Sequence, residues 1–231
     1  MNILAIDTSS SVASASVIKD NQLVGEYVIS NGKTHSQILV PVIDDALSKL
    51  NLKIEDFDVF ATTLGPGSFT GLRIGIATAK AFAQAVNKKI IGVSALDCLA
   101  SNVAYSDGIT VCPILDARRG NVYNAVYKNG VKQTGDRLLH LDTVLEEVKG
   151  NKTLFLGDGV IKHSEKIVSF MGEDAIFAPA HLNFQRASSV AYIALLRAEK
   201  NDFDNIYSLE PIYVRPSQAE RELAGVVDEV I

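Results

Sequence analysis

The chain has 231 residues, 47% of them hydrophobic, and a formal net charge of −5, which suits one large domain or two small ones around a packed core. That balance excludes a general attraction to phosphate, so contact with nucleic acid would need a local basic patch or a partner. Apolar runs are broken well short of the roughly 20 residues of a membrane span, and Met1-Asn2-Ile3-Leu4 reaches Asp7 too soon for a signal peptide, which points to the cytoplasm.

In chain order, Ile3 to Ile6 reads as a short strand ending at Asp7. Thr8-Ser9-Ser10-Ser11 then makes a hydroxyl-rich turn, Val12 to Ile18 a second strand, and Asp20-Asn21 a hairpin onto Gln22 to Ile29. Asn31-Gly32 breaks the sheet. Thr34 is placed to cap a helix carrying Ile38, Leu39, Val42, Ile43, Ala46, Leu47 and Leu50, with a kink expected at Pro41. Phe57 to Leu64 follows as a buried strand, and Leu64-Gly65-Pro66-Gly67-Ser68 turns into a long alanine-rich helix ending near Asn87. Ile90, Ile91 and Val93 make another strand, and Ser94 caps a helix to about Ala104.

The second half repeats the first. Val111 to Leu115 ends at Asp116 as the first strand ends at Asp7, and Asn121 to Tyr127 reads as the next strand. Asn129-Gly130 falls where Asp20-Asn21 falls, displaced by the same interval as the two aspartates. Leu141 to Val148 reads as a helix, Leu156 to Gly159 as a copy of the Leu64 to Gly67 turn, Ile176-Phe177 as a strand, and Ser188-Ser189 as the start of a last helix. Cys98 and Cys112 form no close metal-ligand spacing and read as buried free thiols of a reducing compartment.

Two like lobes, each with an Asp closing its first strand, resemble the actin-like ATPase (ribonuclease H-like) superfold. The implied class is α/β: two similar lobes, each a mixed sheet with an N-terminal three-strand meander covered by helices. Residues 1–105 would form the first lobe and 106–231 the second, with the helix from about 188 to 199 open between them. In that superfold the aspartates and hairpin turns surround a nucleotide's phosphates and metal.

Five motifs carry a closer likeness: Ala5-Ile6-Asp7-Thr8-Ser9; Thr34-His35-Ser36; Leu64 to Gly75; Asp116 to Tyr123; and Pro211-Ile212-Tyr213-Val214-Arg215. Together they resemble the TsaB (YeaZ) family of tRNA threonylcarbamoyladenosine biosynthesis. The resemblance implies a non-catalytic subunit that partners TsaD, the catalytic relative, and the ATPase TsaE. A homodimer is expected when TsaD is absent, and the acidic balance, with no basic, aromatic stacking surface, leaves contact with tRNA to run through TsaD. The resemblance also implies no cofactor for this subunit, with ATP and magnesium serving the whole complex. The catalytic relatives carry a His-x-x-x-His metal pair just after a Gly-Val strand end, where this chain has Ala95 and Leu99. The remaining histidines are scattered, so no catalytic residue and no metal ligand is assigned.

Two functional stretches stay open on chemistry alone. Asp7, Thr8, Ser9 and Ser10 could hold phosphate and a magnesium-bound water, or Asp7 could cap its own turn, the plainer reading. Arg118, in the matching turn of the second lobe, could bind an anion or lie exposed. The glycine stretch Gly65-x-Gly67-x-x-x-Gly71 misses the dinucleotide fingerprint and lacks the end of a P-loop. Gly67, Gly71, Gly75, Ala79 and Ala83 instead form a stripe of small residues that lets a second helix approach. Either that stripe is used up inside the monomer, or the helices from Thr34 and Gly67 form a partner interface. The interface set is then Thr34, His35, Leu39, Pro41, Gly67, Phe69, Gly71, Arg73, Gly75 and Ala79. The alternatives to a scaffold subunit are a small-molecule kinase or a nucleotide-binding module of the same superfold.

Overall fold

The computed structural model describes residues 1–30, 32, 34–103 and 108–214. Asn31, Ala104 and Arg215, the last residue of the tail motif, lie outside the described residues.

The apolar run of β1 (Ile3–Asp7) is buried throughout because it lies between antiparallel β2 (Ala13–Lys19) and parallel β4 (Val59–Gly65). β3 (Gln22–Ile29) and β5 (Lys89–Ser94) complete a sheet of order β3-β2-β1-β4-β5. Asp20 and Asn21 both have positive φ, 51° and 62°, the backbone that a two-residue hairpin matching strand twist requires. Helices α1 (His35–Leu50) and α2 (Phe69–Ala85) cover one face of this sheet, packing Leu39, Ile43, Leu72 and Ile76 on Leu4, Ile6 and Val17. Thr34 sits at the helix start without a side-chain capping bond, and α1 continues unbroken through the exposed Pro41.

The short α3 (Ala95–Ser101), capped by Ser94 as expected, leads into the second sheet. β6 (Thr110–Asp116) is its centre, flanked by β7 (Asn121–Asn124) and β11 (Thr153–Leu156). β8 (Tyr127–Lys128) continues β7 along β6 and pairs with β9 (Val131–Lys132), while β10 (Arg137–His140) pairs with β7. The predicted strand Asn121 to Tyr127 is therefore two pieces. Its break is at Val126, whose amide turns to the Thr134 hydroxyl and whose carbonyl accepts from Gln133. With β12 (Ala175–Phe177) the order is β10-β7-β6-β11-β12, strand for strand the order of the first sheet.

α4 (Leu141–Val148) and α5 (Asp158–Met171) cover one face of this sheet. α5 fills a stretch for which no element was predicted. The other two helices are exchanged. α3, from the first half, packs Leu96 and Leu99 on Val111 and Leu115 of the second sheet. α6 (Ala187–Ala198), from the second half, packs Val190, Ala191 and Ala194 on Ile3, Ala5 and Val59 of the first. Cys98 and Cys112 are free and buried, and burial pushes both thiols up, Cys112 to about 12, which disfavours the thiolate. Among the described residues no helix is long and apolar enough to cross a membrane.

Candidate functional site

The first site element is the joint between β4 and α2. Gly65 has a φ of +123°, and a Cβ there would lie 2.8 Å from the Ile212 carbonyl oxygen. Ser68 begins the helix, its hydroxyl accepting from the Gly71 amide and its own amide donating to the Ser9 carbonyl at 2.7 Å. The helix then descends onto the turn after β1. A Cβ on Gly71 would lie 1.9 Å from the Thr8 carbonyl oxygen, and one on Gly75 would lie 2.5 Å from the Thr8 hydroxyl, distances no real side chain adopts. The stripe of small residues is consumed here, inside the monomer. Gly71, Gly75 and Ala79, like Leu39 of α1, are buried within this chain, so the expectation that they face a partner is corrected.

Asp7 lies beneath that turn, 1% exposed. Its Oδ1 accepts from the Ser9 amide at 2.9 Å and the Ser9 hydroxyl at 2.8 Å, and its Oδ2 accepts from the Thr63 hydroxyl. Burial pushes its pKa up, and the hydrogen bonds from Thr63 and Ser9 oppose that rise. Thr8 is equally occupied, its hydroxyl donating to the Gly71 carbonyl at 2.7 Å. Asp7 is thus the cap of its own turn, and neither it nor Thr8 is presented to a phosphate.

Above the turn a cleft of about 580 Å³ separates the two sheets. Ser9, Ser10, His35, Gly67 and Phe69 line it from one side, and Asp116, Arg118, Tyr123, Asp158 and Gln185 from the other. The fold therefore brings Ser9, Ser10 and Arg118 to one cleft, together with His35, Gly67 and Phe69, which had been assigned to a partner surface. His35 Nε2 lies 2.8 Å from the Ser10 carbonyl, which only accepts, so that nitrogen carries the proton. Asp116 ends β6 as Asp7 ends β1, but its Oδ2 accepts from Lys162 at 2.8 Å and its Oδ1 from the Arg118 amide at 3.2 Å. Burial alone would raise its pKa, yet these bonds outweigh it and the net shift is downward. Asp158, the first residue of α5, accepts from the Asp116 amide at 2.9 Å, and burial raises its pKa.

Nucleotide-dependent members of such folds need carboxylate oxygens for a metal-bound phosphate. Here the oxygens of both strand-end aspartates are engaged by this chain's own donors, so these residues do not fit that group. Among the described residues no group of three or more His, Cys, Asp and Glu is placed to hold a metal ion.

The outer faces of α1 and α2 form the second element. Thr34, Pro41 and Arg73 are exposed, and Val40 is 51% exposed. On α2, Ala77, Ala81 and Ala85 make an exposed stripe one position set away from the buried one. The N-terminal end of α2 is held by the chain's own C-terminal segment. Tyr213 stacks on Phe69 with ring centres 4.5 Å apart, its hydroxyl accepts from Arg73 Nε at 2.8 Å, and the Ile212 amide donates to the Leu64 carbonyl at 2.8 Å. Tyr213 entered the sequence reading only through a motif. Its contact with residues some 140 positions away leaves no periodic signal that could have revealed it.

Comparison with known proteins gives four findings. The family model described as TsaD, tRNA N6-adenosine threonylcarbamoyltransferase, matches residues 22–222. The tRNA threonylcarbamoyladenosine biosynthesis protein TsaB of Bacillus subtilis is 32% identical over 226 residues, spanning 95% of this chain and 96% of that one. Among solved structures, YeaZ from Pseudomonas aeruginosa superposes with a TM-score of 0.78 at 23% identity over 92% of this chain and 99% of its own. The ADPNP-bound activator of 2-hydroxyisocaproyl-CoA dehydratase from Clostridium difficile superposes at 0.52 with 12% identity, over 87% of this chain and 97% of its own. These two structures share the fold, that of the actin-like ATPases.

Proposed function

Since this chain belongs to the TsaB (YeaZ) family of tRNA threonylcarbamoyladenosine biosynthesis proteins, we propose that it acts there as a non-catalytic subunit binding a TsaD-type transferase. The observation that carries this reading is the state of the two strand-end aspartates. Each is engaged by donors of this chain, from its own turn and from a neighbouring element, and among the described residues the cleft above them offers no unengaged carboxylate pair for a metal-bound phosphate. The same observation weighs against a small-molecule kinase and against a free-standing nucleotide-binding module. ATP and magnesium would then serve the complex, with TsaE as its ATPase, and tRNA would be met through the transferase.

The partner surface we assign is the outer side of α1 and α2, centred on Val40, Pro41, Ala77 and Ala81. These residues lie on adjacent helices over one sheet face, and the alanines keep α2 flat enough for another helix to pack against it. In the absence of the transferase the same surface would pair two copies of the chain.

Two measurements test the proposal. Reconstitution of the modification from the other components should lose product when this chain is omitted; unchanged product would remove the function. Ala77→Arg and Ala81→Arg, both at exposed positions, should fold normally and weaken binding to the transferase at least about tenfold, or about 1.4 kcal/mol. Full affinity in both variants would sink the surface assignment while leaving the function standing.

A further inference from the structure

A second cavity, of about 350 Å³, lies where α3 and α6 meet the β8–β9 hairpin, and it shares no lining residue with the interlobe cleft. Most of its wall is apolar: Ala100 from α3, Val111 from β6, and Ile193 and Leu196 from α6. One side is polar and already organised. Tyr127 Oη donates to Asp97 Oδ1 at 2.5 Å, and Lys132 Nζ donates to the same oxygen at 2.7 Å. Lys132 also donates to Asp136 Oδ1 at 2.5 Å, and the Ser94 hydroxyl occupies Asp136 Oδ2 at 2.6 Å.

The charges in this cluster do not balance. Two carboxylates face one ammonium, and burial together with the Asp97 carboxylate pushes the Tyr127 hydroxyl far up, so it stays protonated and contributes no charge. For Lys132 burial acts downward, but the bonds to Asp136 and Asp97 prevail and its pKa rises, so it remains a cation. The excess is negative, and it has a place to act. Both donors to the Asp97 carboxylate use Oδ1, which leaves Oδ2 without a hydrogen-bond partner among the described residues, on a side chain that lines the cavity and is 36% exposed.

A small, mostly apolar cavity with a few fixed polar groups is the usual form of a small-ligand site. An anion would meet net negative charge here, and a neutral apolar molecule would leave the carboxylate oxygen unused. We propose that this cavity binds a small amphipathic cation, a primary ammonium on an apolar stem, with the ammonium on Asp97 Oδ2 and the stem against Ile193 and Leu196. A charge-assisted hydrogen bond supplies the selectivity, and the bonds from Tyr127 and Lys132 hold the carboxylate ready for it. The chemistry is shared by free arylalkylamines and by a lysine side chain of another protein.

Amide chemical shifts of the full chain, titrated in parallel with 2-phenylethylamine, 2-phenylethanol and N-acetyl-lysine methylamide, test the assignment. The arylalkylamine should shift the amides of Ser101, Gly130 and Leu196 saturably, and its neutral alcohol should bind at least about tenfold more weakly. Asp97→Asn should erase most of that preference. Tighter binding of the lysine derivative than of the arylalkylamine identifies a protein side chain as the source, and weaker binding identifies a free amine. The proposal is overturned if the amine produces no saturable shift at these amides, or if amine and alcohol bind equally well. The comparison of amine with alcohol is made on the wild-type chain, so it stands even where Asp97→Asn fails to fold.

Discussion

The turns after β1 and β6 hold equivalent places in two sheets of the same strand order, and they have opposite characters. Asp7 is 1% exposed and bonded only to hydroxyls and an amide, whereas the Asp116 side chain is 20% exposed and paired with Lys162. The helix facing each turn accounts for the difference. When the Gly65 and Gly67 turn is laid on Gly157 and Gly159, Gly71 of α2 falls on His163 of α5. Glycine lets α2 settle on the Thr8 carbonyl and seal the turn, while His163 places a ring nitrogen 3.4 Å from Asp116 Oδ1. The turns also differ in length: Asp7 pairs with Ser14 but Asp116 pairs with Val122, one residue sooner. The strand pattern has kept the topology of both lobes. The residue on the facing helix, glycine or histidine, and the length of the turn together separate a sealed joint from an open, charged wall.

The comparison breaks most directly at its glycines. Gly71→Ala pushes a Cβ to 1.9 Å from a backbone oxygen that moves only with the whole β1–β2 turn, and should cost about 3 kcal/mol or prevent folding. Gly159→Ala places its Cβ 2.9 Å from the Ile114 oxygen and should cost about 1–2 kcal/mol. Equal losses in urea denaturation would show that the two joints are equally tight.

Removing the carboxylates should separate the turns by a smaller margin. Asp7→Ala leaves the buried Ser9 and Thr63 donors unpaired, at about 1–3 kcal/mol for each group left unsatisfied. Asp116→Ala breaks a pair with the exposed Lys162, worth no more than about 1 kcal/mol. A variant of Asp116 as unstable as that of Asp7 would mean that the second turn is also structural.

The smallest effect is in the pH dependence, where the two aspartates have opposite signs. The folded pKa of Asp116 lies below the ordinary aspartate value of 3.8. Its stabilisation is therefore present above that value and lost as pH falls through the folded pKa, because the unfolded chain then binds more protons. The folded pKa of Asp7 lies above 3.8, so the native chain holds the extra proton and stability declines as pH rises through that folded value. Asp116→Asn should flatten the acid loss of the urea midpoint below about pH 4, by under about 1 kcal/mol. A steeper acid loss in this variant would reverse the assigned sign.

Local features of this protein were legible from residues alone. The strands ending at Asp7 and Asp116, the hairpins at Asp20-Asn21 and Asn129-Gly130, the Ser94 cap and the internal repeat all rest on apolar periodicity and on backbone angles that few residues adopt. α5 escaped because its exposed Ile161 and Val168 blur the apolar face by which a helix is read. Only the tertiary structure decided where the small stripe of α2 points, why Asp7 is shut away from the cleft, that α3 and α6 exchange sheets, and that Tyr213 returns to clasp Phe69 and Arg73. A row of glycines and alanines looks the same along the chain whether another protein or the chain's own turn comes to rest on it. Its meaning is set by the distant segment that packs on it, and in this fold the segment on its glycines is Thr8-Ser9.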